Sequence, residues 1–175
     1  MDPASGGRGR RIIECKMTYA IDTNVYIDWW CRRYPDDIFP TIRVKVEGLI
    51  KAGKWRSVQG AADEIRFHGD PGLASWAKAV SVQFQPHDAD IMREANNVIR
   101  LYPGLVDQYA HHDEADRYLI AYAKLSGSAV VTHETPAIGK KMAARTHYIP
   151  DVCAGLGIPC ITLVDVMRQE NWLFT

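Results

Sequence analysis

The stretch Tyr19-Ala20-Ile21-Asp22-Thr23-Asn24-Val25 constrains the rest of the chain most. Its leading apolar residues do not alternate with polar ones, as expected of a short strand buried on both faces of a parallel sheet. The run stops on a carboxylate, Asp22, with Thr23 and Asn24 crowding the exit before an apolar helical pattern begins. In open parallel sheets, ligands bind beyond the carboxyl ends of the strands. Two roles are open to Asp22: N-cap of the following helix, or metal ligand at the sheet edge. Which of the two holds depends on whether other acids join it.

The pattern downstream predicts alternating helices and strands. Residues 25–34 fit a helix ended by Pro35. Pro40 opens a second helix over 41–52, with Ile42, Val46, Leu49 and Ile50 as its apolar stripe. A second strand is expected at 55–58, then a helix over 59–67 that carries Asp63 and Glu64. The Gly69-Asp70-Pro71-Gly72 turn leads into a short helix over 73–79. Residues 80–85 alternate like a third strand, and 88–101 form a helix on Ile91, Ala95, Val98 and Ile99. Residues 103–112 read as a loop. A helix follows, stopped by Gly127, and then the fully apolar strand 129–132. A short helix from Ile149, a last strand at 159–163 and a closing helix over 164–172 complete the chain. Strands alternating with helices imply an α/β fold: three α/β/α layers around a central, mostly parallel sheet of about four to five strands.

The length of 175 residues suits one domain, expected over 17–175. Residues 1–16 are Gly/Arg-rich and polar, and are expected to be a disordered extension or an expression leftover, with Met17 as a candidate natural start. Lys+Arg and Asp+Glu balance at 21 each, so total charge favours neither nucleic acid nor membrane. No apolar run approaches the ~18 residues of a membrane span, and no signal-peptide pattern is present. The four cysteines form no C-x-x-C pair. That speaks against a zinc knuckle and for thiols in a reducing, cytoplasmic setting.

Several acids can meet Asp22. From Asp116, the positions three, four and seven residues on are Leu119, Ile120 and Ala123, so Asp116 lies on the buried side of its helix. An acid there is costly unless paired or bound to metal. Asp113, one turn earlier, fits a cap or a further ligand. Asp63 and Glu64 compete for the inward position of their helix, and spacing alone does not separate them. Glu134, just past the apolar strand, is either a surface turn residue or a neighbour of Asp22 at the same sheet edge. His111 and His112 do not share a helical face and lack a third nitrogen or sulfur ligand, so they read as a solvated loop. An all-oxygen set suits Mg²⁺ or Mn²⁺. Lys140, Lys141 and Arg145, with Arg32 and Arg33, are candidates to hold a phosphate backbone, or form solvated basic faces. Tyr26 and Trp29 either stack on bases or fill the core. Trp29, Trp30 and Trp76 fit an interface or the core.

Three features together resemble the PIN-domain nucleases: the Ile-Asp-Thr-Asn strand exit, the helix opening Asp116-Arg117-Tyr118-Leu119-Ile120-Ala121, and the Val-Val-Thr-His-Glu strand end. Phe39-Pro40 and Ile149-Pro150-Asp151-Val152-Cys153 are similar to one PIN-like subgroup of bacterial and archaeal proteins. The resemblance covers about residues 17–170. It implies a divalent-metal-dependent endoribonuclease that cuts single-stranded RNA or tRNA, with Asp22, Glu64, Asp116 and Glu134 as the acids. It also implies that Asn24 and Thr132 help hold the first acid or the phosphate. Glu134 departs from the family, where Asp is commoner, and Asp113 is an extra acid. Many relatives are toxins held by an antitoxin protein, and homodimers are common among them. Two rivals are a PIN-like module that binds RNA or protein without cutting, and an α/β phosphatase with an aspartate nucleophile. The second usually carries another Asp two places on, where this chain has Asn24.

Overall fold

The computed structural model describes residues 17–107, 115–140 and 145–174. At its centre is strand β1, Tyr19–Ile21, every residue of which is buried. It pairs in parallel with β2 (Trp55–Val58) on one side and β4 (Ala129–Val131) on the other, with Tyr19 opposite both Trp55 and Ala129. Two-residue strands close the edges: β3 (Phe84–Gln85) beside β2 and β5 (Cys160–Ile161) beside β4. The sheet is all parallel, in the order β3-β2-β1-β4-β5.

This order fixes where a ligand can bind. The chain steps outward from β1 to β2 to β3, then returns and continues on the other side through β4 and β5. The connections therefore diverge between β1 and β4, and the crevice beyond their carboxyl ends is the topological switch point. The exits are tied at this place. The Asp22 N–H donates to Val131 O at 3.0 Å, the Thr132 N–H to Ile161 O at 3.0 Å, and Ser57 Oγ to Ile21 O at 2.6 Å.

Helices flank the sheet. Between β1 and β2 run α1 (Thr23–Ile27) and α2 (Pro40–Lys51), with Pro40 in the first turn. Between β2 and β3 lie α3 (Gln59–His68) and α4 (Pro71–Ala79). Asp70 caps α4 by accepting from the N–H groups of Gly72 and Leu73, and Pro71 sets the first turn. Helix α5 (Ala89–Leu101) is capped by Asp88, buries Ile91, Ala95 and Val98, and packs along α6 (Asp116–Ser126). Ile91 and Val98 each contribute about 1.5–3 kcal/mol on burial. Gly127, at φ 70°, ends α6 in a left-handed turn that a Cβ would strain. Helices α7 (Ile149–Leu156) and α8 (Leu163–Gln169) follow β4 and β5. Among the described residues, no helix is long and apolar enough to cross a membrane.

Three of the expected elements take a different form. The helix expected over 25–34 changes at Asp28 into a π-helical turn, Asp28–Arg33. The strand expected over 80–85 is reduced to Phe84–Gln85, preceded by a 3₁₀ turn at Ser81–Gln83. There Val82 is exposed, and Gln83 is buried to accept the Tyr26 hydroxyl at 2.7 Å. Residues 103–105 form a 3₁₀ turn within the expected loop. Tyr26 and Trp29, considered for base stacking, are fully buried. Trp29, Trp30 and Trp76 form one aromatic cluster, with centroids 5.2–5.8 Å apart, and Trp76 Nε1 donates to Glu47 at 2.9 Å.

Candidate active site

Asp22 sits at the β1 exit and is 5 % exposed. It occupies the N-cap position of α1 without a side-chain capping hydrogen bond. Its carboxylate turns instead to β4, where Thr132 Oγ donates to Asp22 Oδ2 at 2.6 Å. The same hydroxyl oxygen accepts from Asn24 Nδ2 at 3.2 Å and from the Glu134 N–H at 3.0 Å. Asn24 Oδ1 in turn accepts the His133 N–H at 3.0 Å. Asn24 and Thr132 thus lace the two strand exits together and fix the first acid between them.

Glu64 comes from α3. Its carboxylate accepts from Thr23 Oγ at 2.5 Å and from the Ala115 N–H, just before α6, at 3.1 Å. Asp63, its competitor in the sequence, pairs with Arg66 on the exposed side. Asp116 opens α6, where negative charge is favoured by the helix dipole. It receives Arg145 Nη1 at 2.9 Å. Arg145 Nη2 stands 3.6 Å from Glu134 Oε1, and Glu134 Oε2 accepts the Ile149 N–H at the start of α7, at 3.0 Å. Asp22, Glu64, Asp116 and Glu134, distant in sequence, therefore share one crevice at the β1/β4 switch point.

The electrostatics follow from that crowding. Burial pushes the Asp22 carboxyl up to about 7, and the charges of Glu134 and Glu64 add to the rise against the Thr132 hydrogen bond. Burial also lifts Asp116 well above the usual carboxylate range. Asp22 and Glu134 reinforce that shift, and Arg145 opposes it. A buried acid and a largely buried one beside two more are poorly tolerated as anions without a cation. Arg145 supplies one such charge. It is also anchored by the Leu105 carbonyl at 2.7 Å and lies 5.3 Å from the Tyr148 ring centroid.

The cations distribute unevenly. Arg145, expected to hold substrate, lies within the acidic crevice itself. Lys140 lies over the Tyr148 ring, 3.1 Å from its centroid. Arg32 and Arg33 are drawn to Asp28, at 3.0 and 3.2 Å. Lys141, Asp113, His111 and His112 fall outside the described residues. Sequence reasoning missed a neighbouring pair: His133 Nδ1 lies 2.9 Å from Asp28 Oδ2. Burial works to raise Asp28, but the hydrogen bonds from His133 and Arg32 hold it below its ordinary value. Its signal was an acid within the apolar 25–34 pattern, one helical turn before two arginines.

The donor set is all oxygen, in carboxylates, which fits a hard divalent cation such as Mg²⁺ or Mn²⁺ and disfavours soft metals. Among the described residues, no group of three or more His, Cys, Asp or Glu side chains stands arranged to hold a metal ion. Closure on an ion would require Arg145 to give ground between Asp116 and Glu134. Compared with known families, residues 19–174 match the model of a domain of unknown function, DUF4411. A search of curated proteins gives no match.

Proposed function

The chain belongs to the DUF4411 family, and we propose that it acts as a PIN-like, divalent-metal-dependent endoribonuclease on single-stranded RNA or tRNA. One observation carries this reading: four carboxylates from four separate segments converge beyond the carboxyl ends of β1 and β4, where burial and their mutual repulsion raise the carboxyls of Asp22 and Asp116. Asp22, Glu64, Asp116 and Glu134 would hold Mg²⁺ or Mn²⁺. Such an ion supplies charge that activates water and stabilises the leaving oxygen of a phosphodiester. Thr132 keeps Asp22 aimed into the crevice. Arg145, released from Asp116, is placed to neutralise the phosphate that enters. On the PIN-like reading, a cognate antitoxin protein and a second copy of the chain are the proposed partners.

Arg145 also favours a second reading, a module that binds RNA or protein without cutting, because it already offsets Asp116 and Glu134. The phosphatase alternative is weakened by Asn24, whose amide is committed to Thr132 and His133. The deciding experiment incubates single-stranded RNA with Mg²⁺ or Mn²⁺ and wild type, Asp22→Asn or Asp116→Asn. Cleavage by wild type alone is expected. Equal cleavage by both variants removes this site from the chemistry. Metal binding without cleavage turns the reading to the non-cutting module.

A further inference from the structure

A cavity of about 420 Å³ opens directly beside Glu134, at the β4–β5 edge, and shares Thr132 and Glu134 with the acid crevice. Its volume falls in the range of small-ligand sites. Apolar walls come from Pro136, Pro150, Ile158 and Ala154. Among the described residues, the lining includes two carboxylates, Glu134 and Asp165, and no Lys or Arg. The two carboxylates repel a phosphate. A flat ring that presents a hydrogen-bond donor at its edge is a suitable occupant. Asp165 keeps acceptor capacity for it: its Oδ2 takes the Thr162 N–H and hydroxyl, and its Oδ1 takes Arg168, leaving a lone pair on Oδ1.

We propose that this cavity is a base subsite, which takes an amino-bearing nucleobase (adenine, cytosine or guanine) of the nucleotide next to the scissile phosphate. The inference rests on the nuclease reading for the position of that phosphate. Proline rings and Ile158 cover the faces of the base, while the carboxylates accept from its exocyclic amine. Uracil has no exocyclic amine; it keeps one N3–H donor between two carbonyl oxygens that the carboxylates repel, and binds more weakly. A donor placed against a carboxylate is worth about tenfold or more in affinity.

The test is calorimetric binding of the 5′-monophosphates of adenosine, cytidine, uridine and purine riboside, which lacks the amine, with ribose 5-phosphate as the base-free control. For wild type, adenosine and cytidine monophosphates are expected to bind about tenfold tighter than the others. Ala154→Trp, at an exposed position of α7 that lines the cavity, is expected to erase that difference with its melting temperature unchanged. Pro136→Trp, on a separate segment, gives the same readout should the first variant misfold. Equal binding of all five ligands, or selectivity that survives in both filled variants, overturns the subsite. RNA cleavage is scored in parallel. Cleavage without base preference, unaltered by Ala154→Trp, overturns the subsite and leaves the nuclease reading standing. Base-selective binding without any cleavage supports the subsite and overturns the nuclease reading instead.

Discussion

Thr132 holds the most consequential hydroxyl in the molecule. It donates to Asp22 and accepts from both Asn24 and the Glu134 backbone. Thr132→Val keeps the shape and removes all three bonds. It is expected to cost about 1–3 kcal/mol in denaturant unfolding and to lower cleavage, whereas Thr132→Ser retains both. Asp22 has its own signature. In the unfolded chain its carboxyl titrates near the ordinary 3.8, and in the fold near 7. Below about pH 4 both states hold the proton, so burial costs nothing there. As pH rises between these values, the unfolded state releases its proton first, and stability falls by up to about 1.4 kcal/mol per pH unit. Above about 7 the penalty is constant. Asp22→Asn removes it. In thermal melts with chelator, the variant's gain over wild type is expected to grow from about pH 4 to about pH 7. A gain independent of pH would contradict the buried, proton-holding carboxylate.

At the scale of elements, the site depends on how closely α3 approaches α6. Gly60 is the second residue of α3, and a Cβ added there would stand 3.1 Å from the Ala115 Cβ, one residue before Asp116. Four residues on, Glu64 takes the Ala115 N–H. Gly60→Ala improves the helix by about 0.5–1 kcal/mol and pushes α6 away from Glu64 by a few tenths of an ångström. The expected outcome is a melting temperature near wild type with weaker Mn²⁺ binding in a calorimetric titration. Unchanged metal binding would mean that the α3–α6 contact does not set the spacing of the acids. Helix α7 plays the matching part on the other side, because its first free N–H holds Glu134.

For the whole molecule, anion crowding and fold stability are one problem. An ion that binds the folded acids and not the unfolded chain stabilises by mass action, about 2.7 kcal/mol at a hundredfold excess over Kd. For a chain of this size that corresponds to a rise of roughly 5–10 °C in Tm. Mg²⁺ or Mn²⁺ is expected to produce such a rise in wild type, reversed by chelator, and little of it in Asp116→Asn. Equal shifts in both proteins would place metal binding elsewhere.

Local pattern determined most elements by itself. Unbroken apolar runs specified β1 and β4, a stripe of Ile91, Ala95 and Val98 specified α5, and Gly127 specified the end of α6. It also put Asp116 on an inward face, since helical spacing is a local property. Tertiary structure decided what depends on long-range pairing. The pairing of β1 with β4, and with it the meeting of Asp22 and Glu134, follows from contacts 110 residues apart in sequence. Glu64 was chosen over Asp63 by the Thr23 hydroxyl and the Ala115 N–H, partners that spacing within one helix does not reveal. Arg145 reads in sequence as one more basic residue. Only the packed crevice, where two acids need an opposite charge nearby, turned it inward.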